Sequence, residues 1–225
     1  MHALPLATVL LAAQLGGRLS LANDAALTNE FQSFSASGSC DALSLGLVCD
    51  GDTDDTARLQ AGLHSCAAQG LALTLPPGKT CVSYPLTLPS HATLQLSSGS
   101  VLKAGKSIHW PNSSATLAVP FLSAAGGATN LTIRGDGTLD GSGAQWWTGN
   151  NKTPRRPFLL HLPGASFVLL QGFLMLNGAA WHTSLSGDHY RIFDVKIRSP
   201  PYMIAPNTDG LDISASYVHI RNGAS

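Results

Sequence analysis

Charge is scarce in this sequence: 12% of its 225 residues are Asp, Glu, Lys or Arg, against a usual share of about 25%. Formal net charge is zero, so no global field points to nucleic acid or a membrane surface. Beyond the first two dozen residues no apolar run is long enough for a membrane helix. Helix-forming segments alternating with strands are also missing, which argues against a doubly wound fold. The 23 glycines and 13 prolines favour a turn-rich β architecture over a helical bundle. Cysteine is limited to Cys40, Cys49, Cys66 and Cys81. In an exported chain these are disulfide candidates rather than metal ligands, and four allow three pairings.

Export is what the N-terminus suggests. Residues 1–22 read as a signal peptide: Ala3 to Leu15 is mostly apolar but too short to span a bilayer, and Ser20-Leu21-Ala22 supplies small residues for cleavage after Ala22. Three glycosylation sequons agree, beginning at Asn112, Asn130 and Asn151. The expected organisation is therefore residues 1–22 as a leader and 23–225 as part of one domain, with an irregular stretch to residue 50.

Gly51-Asp52-Thr53-Asp54-Asp55-Thr56 then leads into Ala57 to Gln69, where Leu59, Leu63 and Cys66 recur at helical spacing and Gly70 is a natural stop. No regular ligand loop follows the carboxylates, so they read as a helix N-terminus whose Asp or Thr side chains cap free amides, rather than as a calcium site. From residue 71 short alternations are separated by Gly, Asn, Ser and Pro. Leu94-x-Leu96, Leu131-x-Ile133, Val168-x-Leu170, Tyr190-x-Ile192 and Val218-x-Ile220 repeat at steps of 37, 37, 22 and 28 residues. Phe173-x-Met175 and Val195-x-Ile197 add a second alternation. Constant strands with uneven steps fit a solenoid better than a β-sandwich, because coils tolerate insertions on one side. The glycine-rich Gly135 to Gly143 lacks the lysine and helix of a phosphate loop and reads as tight turns. Trp146 and Trp147 read as packing of the insertion at 141–157. His161, His189 and His219 have no partner at metal spacing, so no metal site is expected.

One stretch carries chemistry: Asn207-Thr208-Asp209-Gly210-Leu211-Asp212, after Ala205-Pro206. Such a cluster is also what a plain turn uses. Read as extended chain, it places Asn207 and Asp209 on one side and Thr208 on the other. Pro-Asn-Thr-Asp-Gly-x-Asp resembles the first catalytic motif of the polygalacturonase family, inverting pectin hydrolases of glycoside hydrolase family 28. Gly-Asp-Gly-Thr-Leu-Asp-Gly…Trp-Trp at 135–147, Arg155-Arg156-Pro157, and Asn177-Gly178 before Trp181-His182 are similar to further family segments. The resemblance implies an all-β, right-handed parallel β-helix, with the helix at Ala57 to Gln69 as its N-terminal cap. It implies Asp209 as a catalytic carboxylate on the water side and Asn207 as an orienting, substrate-binding group. Asp212 is expected to be structural and, by period-two alternation, to face away from Asp209 unless Gly210 resets the strand. The partner implied is a pectic polysaccharide, with no cofactor, no nucleic acid, no membrane, and a monomeric, secreted enzyme. Lys196 and Arg198, two apart on an expected strand, are candidates to meet a polyanion but read better as a solvated face.

The chain also departs from that family's pattern. The pattern continues with an Asp-Asp pair one coil later, then Gly-His-Gly and Arg-x-Lys, and no Asp-Asp follows residue 209. The expectation is a β-helix truncated on its C-terminal side, inactive by itself, with the general acid beyond Ser225 and with Tyr217, Val218 and Ile220 left exposed. Ala-Pro-Asn-Thr-Asp-Gly leans towards exo-acting or rhamnogalacturonan-type relatives. Two rivals remain: a noncatalytic carbohydrate-binding β-helix, and a pectate lyase, which would need an acidic calcium cluster that is not seen after residue 141.

Overall fold

The computed structural model describes residues 36–111, 118–147 and 156–222. The expected leader at 1–22, Asn112, Asn151 and Arg155 lie outside them. Every strand pair is parallel, and the chain coils as the repeat suggested. A first sheet takes β1 (Ser39–Asp41), β3 (Ala72–Leu75), β6 (Thr93–Leu96), β9 (Thr129–Gly135), β11 (Leu160–Gln171), β13 (Thr183–Phe193) and β15 (Ile213–Arg221) in that order. A second takes β2 (Asp50–Asp54), β4 (Thr80–Ser83), β7 (Val101–Ala104), β10 (Thr138–Asp140), β12 (Leu174–Leu176) and β14 (Lys196–Arg198). A third face starts with β5 (Leu86–Leu88) and β8 (Leu122–Ala124) and continues through the first residues of β11, β13 and β15. β11 and β13 shift register between Leu162 and Ala165, where the chain turns from the third face onto the first sheet. The result is a right-handed parallel β-helix.

Its interior is built from columns of one inward residue per coil. Cys81, Leu102, Leu139, Met175 and Ile197 stand in register across the second sheet and are all buried. On the first sheet Leu131, Val168, Tyr190 and Val218 align, as do Ile133, Leu170, Ile192 and Ile220. The first repeat differs from the sequence alignment: Leu94 pairs with Ile133, not Leu131, a step of 39 residues rather than 37. Phase is set by the corner before each inward run of the first sheet. There His91, Asn130, Phe167, His189 and Tyr217 all take positive φ, each one position ahead of an inward residue. Their side chains stack as a ladder: Asn130 Nδ2 meets His91 Nδ1 at 3.2 Å, and His189 lies 4.7 Å from both the Phe167 and Tyr217 rings. Asn130 is therefore buried, with its amide nitrogen engaged in that ladder. That geometry opposes the glycan expected there.

The helix forms as expected, as α1 (Thr56–Ala68), with Leu59, Gly62, Leu63 and Cys66 buried and Gly70 at φ +65° ending it. It packs against β3 and β5 at the first coil. The acidic turn is used differently from the expectation. Asp55 makes no side-chain cap; it is fully buried and accepts the amides of Val48 and Cys49, both at 2.9 Å. Asp54 instead takes the Thr56 amide at 2.9 Å and its hydroxyl. Asp50 accepts the amides of Asp52 and Thr53, which hold its pKa down at about 2. Disulfides Cys40–Cys66 and Cys49–Cys81 tie β1 to α1 and the loop before β2 to β4. Among the described residues the only grouping of metal-ligand type is Cys49, Asp55 and Cys81, and its two sulfurs are bonded to each other.

Candidate active site

The motif occupies the connection from β14 to β15. It is not a strand through residue 207: a turn covers 202–207, and Asn207 sits at φ +54°. Asn207 and Asp209 are exposed while Thr208 is half-buried, its hydroxyl donating to Ala205 O at 2.8 Å. The turn is braced from the coil beneath by a residue to which the sequence assigned no chemistry. His182 is fully buried in the coil interior. Its backbone N–H donates to Asp209 O at 2.8 Å, and its Nδ1 lies 3.2 Å from both Thr208 O and Asp209 O. Its Nε2 accepts from Gly178 N at 3.2 Å and faces Ser199 Oγ at 3.3 Å. Those partners fix the neutral Nδ1–H tautomer. Burial lowers the His182 pKa, opposed by the carbonyls of Asp209 and Thr208. With both nitrogens engaged, His182 is a brace and not a proton carrier.

A second brace is Arg156, whose Nη1 donates to Pro206 O at 2.7 Å across the start of the motif. Arg-Pro dipeptides are common, and nothing in this one announced that contact. Gly143 fits only because it has no side chain: a Cβ would strike the Trp147 ring and come within 2.7 Å of Asn177 O. The tryptophans pack, as expected. Trp146 is buried edge-on to Trp110 at 5.8 Å, and Trp147 Nε1 donates to Gly178 O at 3.3 Å.

Register continues from β13 through the motif. The bond from His182 N to Asp209 O sets Trp181 opposite Asp209, and that from Leu159 N to Trp181 O sets Phe158 opposite Trp181. Phe158 and Trp181 stack at 5.1 Å and 9°. Asp209 thus continues an outward column of rings. Asp212 falls opposite Ser184, which pairs with His161. The Phe158 and His161 rings are 5.9 Å apart on one surface, so positions three apart share the outward side here. Asp212 accordingly lies on the same face as Asp209, contrary to the alternation expected, because residues 208–212 do not form a regular strand. Its backbone N–H bonds Thr183 Oγ1 at 3.0 Å. Lys196 and Arg198 are exposed on β14 of the second sheet. Cavities of about 580 and 520 Å³ lie elsewhere, beside Lys103 and Asp140 and beside Arg134 and Asp194. In the first, burial raises the Asp140 pKa, against the Ser142 amide and Lys103. Asp209 lines neither, and an extended polymer calls for an open strip rather than a closed pocket.

The motif thus sets an exposed carboxylate on a stacked parallel β-helix, in register with a column of rings. The sequence pattern of glycosyl hydrolases family 28 matches residues 91–224, and the chain belongs to that family. A probable polygalacturonase of Arabidopsis thaliana is 29% identical over 192 residues, which cover 82% of this chain and 40% of that protein. An endo-polygalacturonase of Pectobacterium parmentieri is 28% identical over 201 residues, 75% of this chain and 49% of that one. The chain spans less than half the length of these curated relatives. The solved polygalacturonase from Erwinia carotovora superposes with a TM-score of 0.70 at 24% identity, covering 83% of this chain and 55% of its own.

Proposed function

We propose that the protein containing this chain is a secreted hydrolase of the pectin backbone that inverts the anomeric carbon. Residues 1–22 direct its export, and 23–225 form the N-terminal part of one monomeric β-helix domain that needs no cofactor. The observation that carries the reading is Asp209: exposed, on a turn held by the buried His182, and in register with Trp181 and Phe158. In this mechanism Asp209 takes a proton from water as the oxygen attacks the anomeric carbon. A carboxylic acid on the neighbouring coil protonates the departing glycosidic oxygen. About 6.5–9.5 Å between the two leaves room for the water. Asn207 orients the sugar. Residues 210–225 hold no Asp-Asp pair, and the reading is made for the whole protein, not for this chain by itself. The motif's flank leans towards an exo-acting or rhamnogalacturonan-type substrate.

Asp209→Asn in the full-length enzyme tests the reading. The amide is isosteric and the backbone carbonyl that meets His182 is untouched, so the melting temperature stays within about a degree. Release of reducing ends from pectic polymers falls by roughly 10²–10⁴-fold, the range for a positioned acid or base. Wild-type turnover in a folded mutant removes Asp209 from the chemistry and leaves the motif as a turn. A wild-type protein that binds but never cleaves favours the noncatalytic carbohydrate-binding reading.

A further inference from the structure

The ladder between β13 and the motif changes phase where the motif begins to run beside it. In a regular strand the backbone donors aimed at one neighbour recur every second residue. His182 N and Leu185 N are three apart, yet they bond Asp209 O at 2.8 Å and Asp212 O at 2.9 Å. Thr183, the first residue of β13, lies inside that break and is fully buried. With Trp181 opposite Asp209 and Ser184 opposite Asp212, Thr183 stands opposite Leu211. In a parallel pair a bonding residue donates to the residue before its opposite and accepts from the residue after it. Thr183 does both with its side chain. Its hydroxyl donates to Gly210 O at 3.2 Å and accepts the Asp212 amide at 3.0 Å. One hydroxyl, donor and acceptor at once, thus stands in for the amide and carbonyl of a ladder residue.

Two successive carbonyls of the motif, Asp209 O and Gly210 O, are therefore held from the coil beneath, by His182 and by Thr183. They fix the peptide planes on both sides of Gly210, the motif residue with the most backbone freedom. The Asp212 amide is the third fixed point. Regular alternation through 210–212 would turn Asp209 and Asp212 to opposite sides; with the break pinned at these points they share the outward one. We propose that Thr183 is a positioning residue for the hydrolytic reaction, its hydroxyl holding the backbone that aims Asp209 at the water it activates. This rests on the pectin-hydrolase reading above. Thr183 is buried and acts only through residues 210–212. Shape alone does not meet the need, because a side chain without a hydroxyl leaves Gly210 O and the Asp212 amide without this partner.

The test compares Thr183→Val and Thr183→Ser in the full-length protein, assayed on polygalacturonate and on rhamnogalacturonan, with melting temperatures taken on the same preparations. Valine keeps the shape and loses the hydroxyl; serine keeps the hydroxyl and loses a methyl group. On whichever polymer is cleaved, Thr183→Val lowers kcat by about 10–100-fold, the scale of a misplacement near 1 Å. Its KM stays within about twofold, because Asp209 serves the transition state rather than the binding of sugar. Thr183→Ser recovers kcat to within about threefold of the wild type, having the same donor and acceptor, although it melts lower for want of the buried methyl group. A merely structural threonine predicts instead that kcat follows melting temperature in both variants. Wild-type kcat in Thr183→Val overturns the proposal, and so does a loss in Thr183→Ser as large as that in Thr183→Val. If the valine variant does not fold, the serine variant decides alone: it keeps its kcat or the proposal falls. A wild-type protein that melts cooperatively and hydrolyses neither polymer overturns the pectin-hydrolase reading and the proposal with it, a result separate from any difference among the three proteins.

Discussion

β13 and β15 carry nearly the same pattern and have different fates. Tyr190 and Ile192 of β13 are in register with Val218 and Ile220 of β15. The first two are wholly buried, whereas Val218 is half-buried and Ile220 is 45% exposed. At the corner preceding them His189 is sandwiched between Phe167 and Tyr217, while Tyr217 is 75% exposed. β13 lies between β11 and β15, and β15 pairs only with β13 among the described residues. An inward residue in a solenoid is therefore worth what its neighbouring coil covers. Alternation in the sequence identifies which residues point inward. It does not say how much burial each obtains.

The sharpest test of that comparison is a matched pair of truncations in the 225-residue chain. Ile192→Ala opens a cavity between two coils and costs about 2–5 kcal/mol. Ile220→Ala, in the same column, removes little buried surface and costs about 0.5 kcal/mol. Denaturant unfolding followed by circular dichroism measures both. Equal losses would mean that burial in this fold is not set coil by coil. At the opposite end, α1 and two disulfides cover the first coil. Replacing Cys49 and Cys81 by Ala, a pair 32 residues apart, costs about 4 kcal/mol by releasing a loop of the unfolded chain. That loss adds to the Ile192→Ala loss because the two sites are remote. Strong non-additivity would show that the covered end and the later coils unfold as one tightly coupled unit.

Much of this architecture is legible in the sequence, and the failures share a cause. The helix, its stop at Gly70 and four of the five first-sheet repeats are where the periodicity puts them. The fifth slipped because coil phase is fixed by left-handed corner residues. Here those corners are His91, Asn130, Phe167, His189 and Tyr217; Asn and His favour positive φ, but Phe and Tyr announce no such turn. The choice among three disulfide pairings depended on where β1 and α1 meet. The acidic turn was expected to cap the helix, which Asp54 does at the Thr56 amide, whereas Asp55 binds the loop before β2. At the site, Asn207 and Asp209 were legible as a motif, whereas His182 and Arg156 act across coils. His182 stands 27 residues from the carbonyl it supports, and Arg156 stands 50 from Pro206. No local pattern encodes such contacts, and only the stacking of one coil on the next creates them.

His182 gives the smallest and most specific test, because it sits at the junction of the two coils compared. Replacing it by Ala leaves the Gly178 amide and the Thr208 carbonyl without their side-chain partner, while Asp209 O keeps the backbone N–H of residue 182, a loss of about 1–3 kcal/mol for buried polar groups. A purely steric role would predict a similar number, so the discriminating readout is pH. Burial depresses the pKa of His182 in the folded protein, whereas in the unfolded chain it lies near 6.5. A group with a depressed folded pKa contributes stability that is fully present above its unfolded value. That stability is lost as pH falls below about 6.5, where the unfolded chain binds the proton first. The wild type therefore loses melting temperature between pH 7 and pH 5, and His182→Ala loses less over the same interval. His161 is shifted in the same direction by burial and contributes equally to both proteins, so the difference between the two curves belongs to position 182. Parallel curves would show that the imidazole is not held neutral beneath the motif, and that Asn207 and Asp209 are positioned by the backbone of β15 alone.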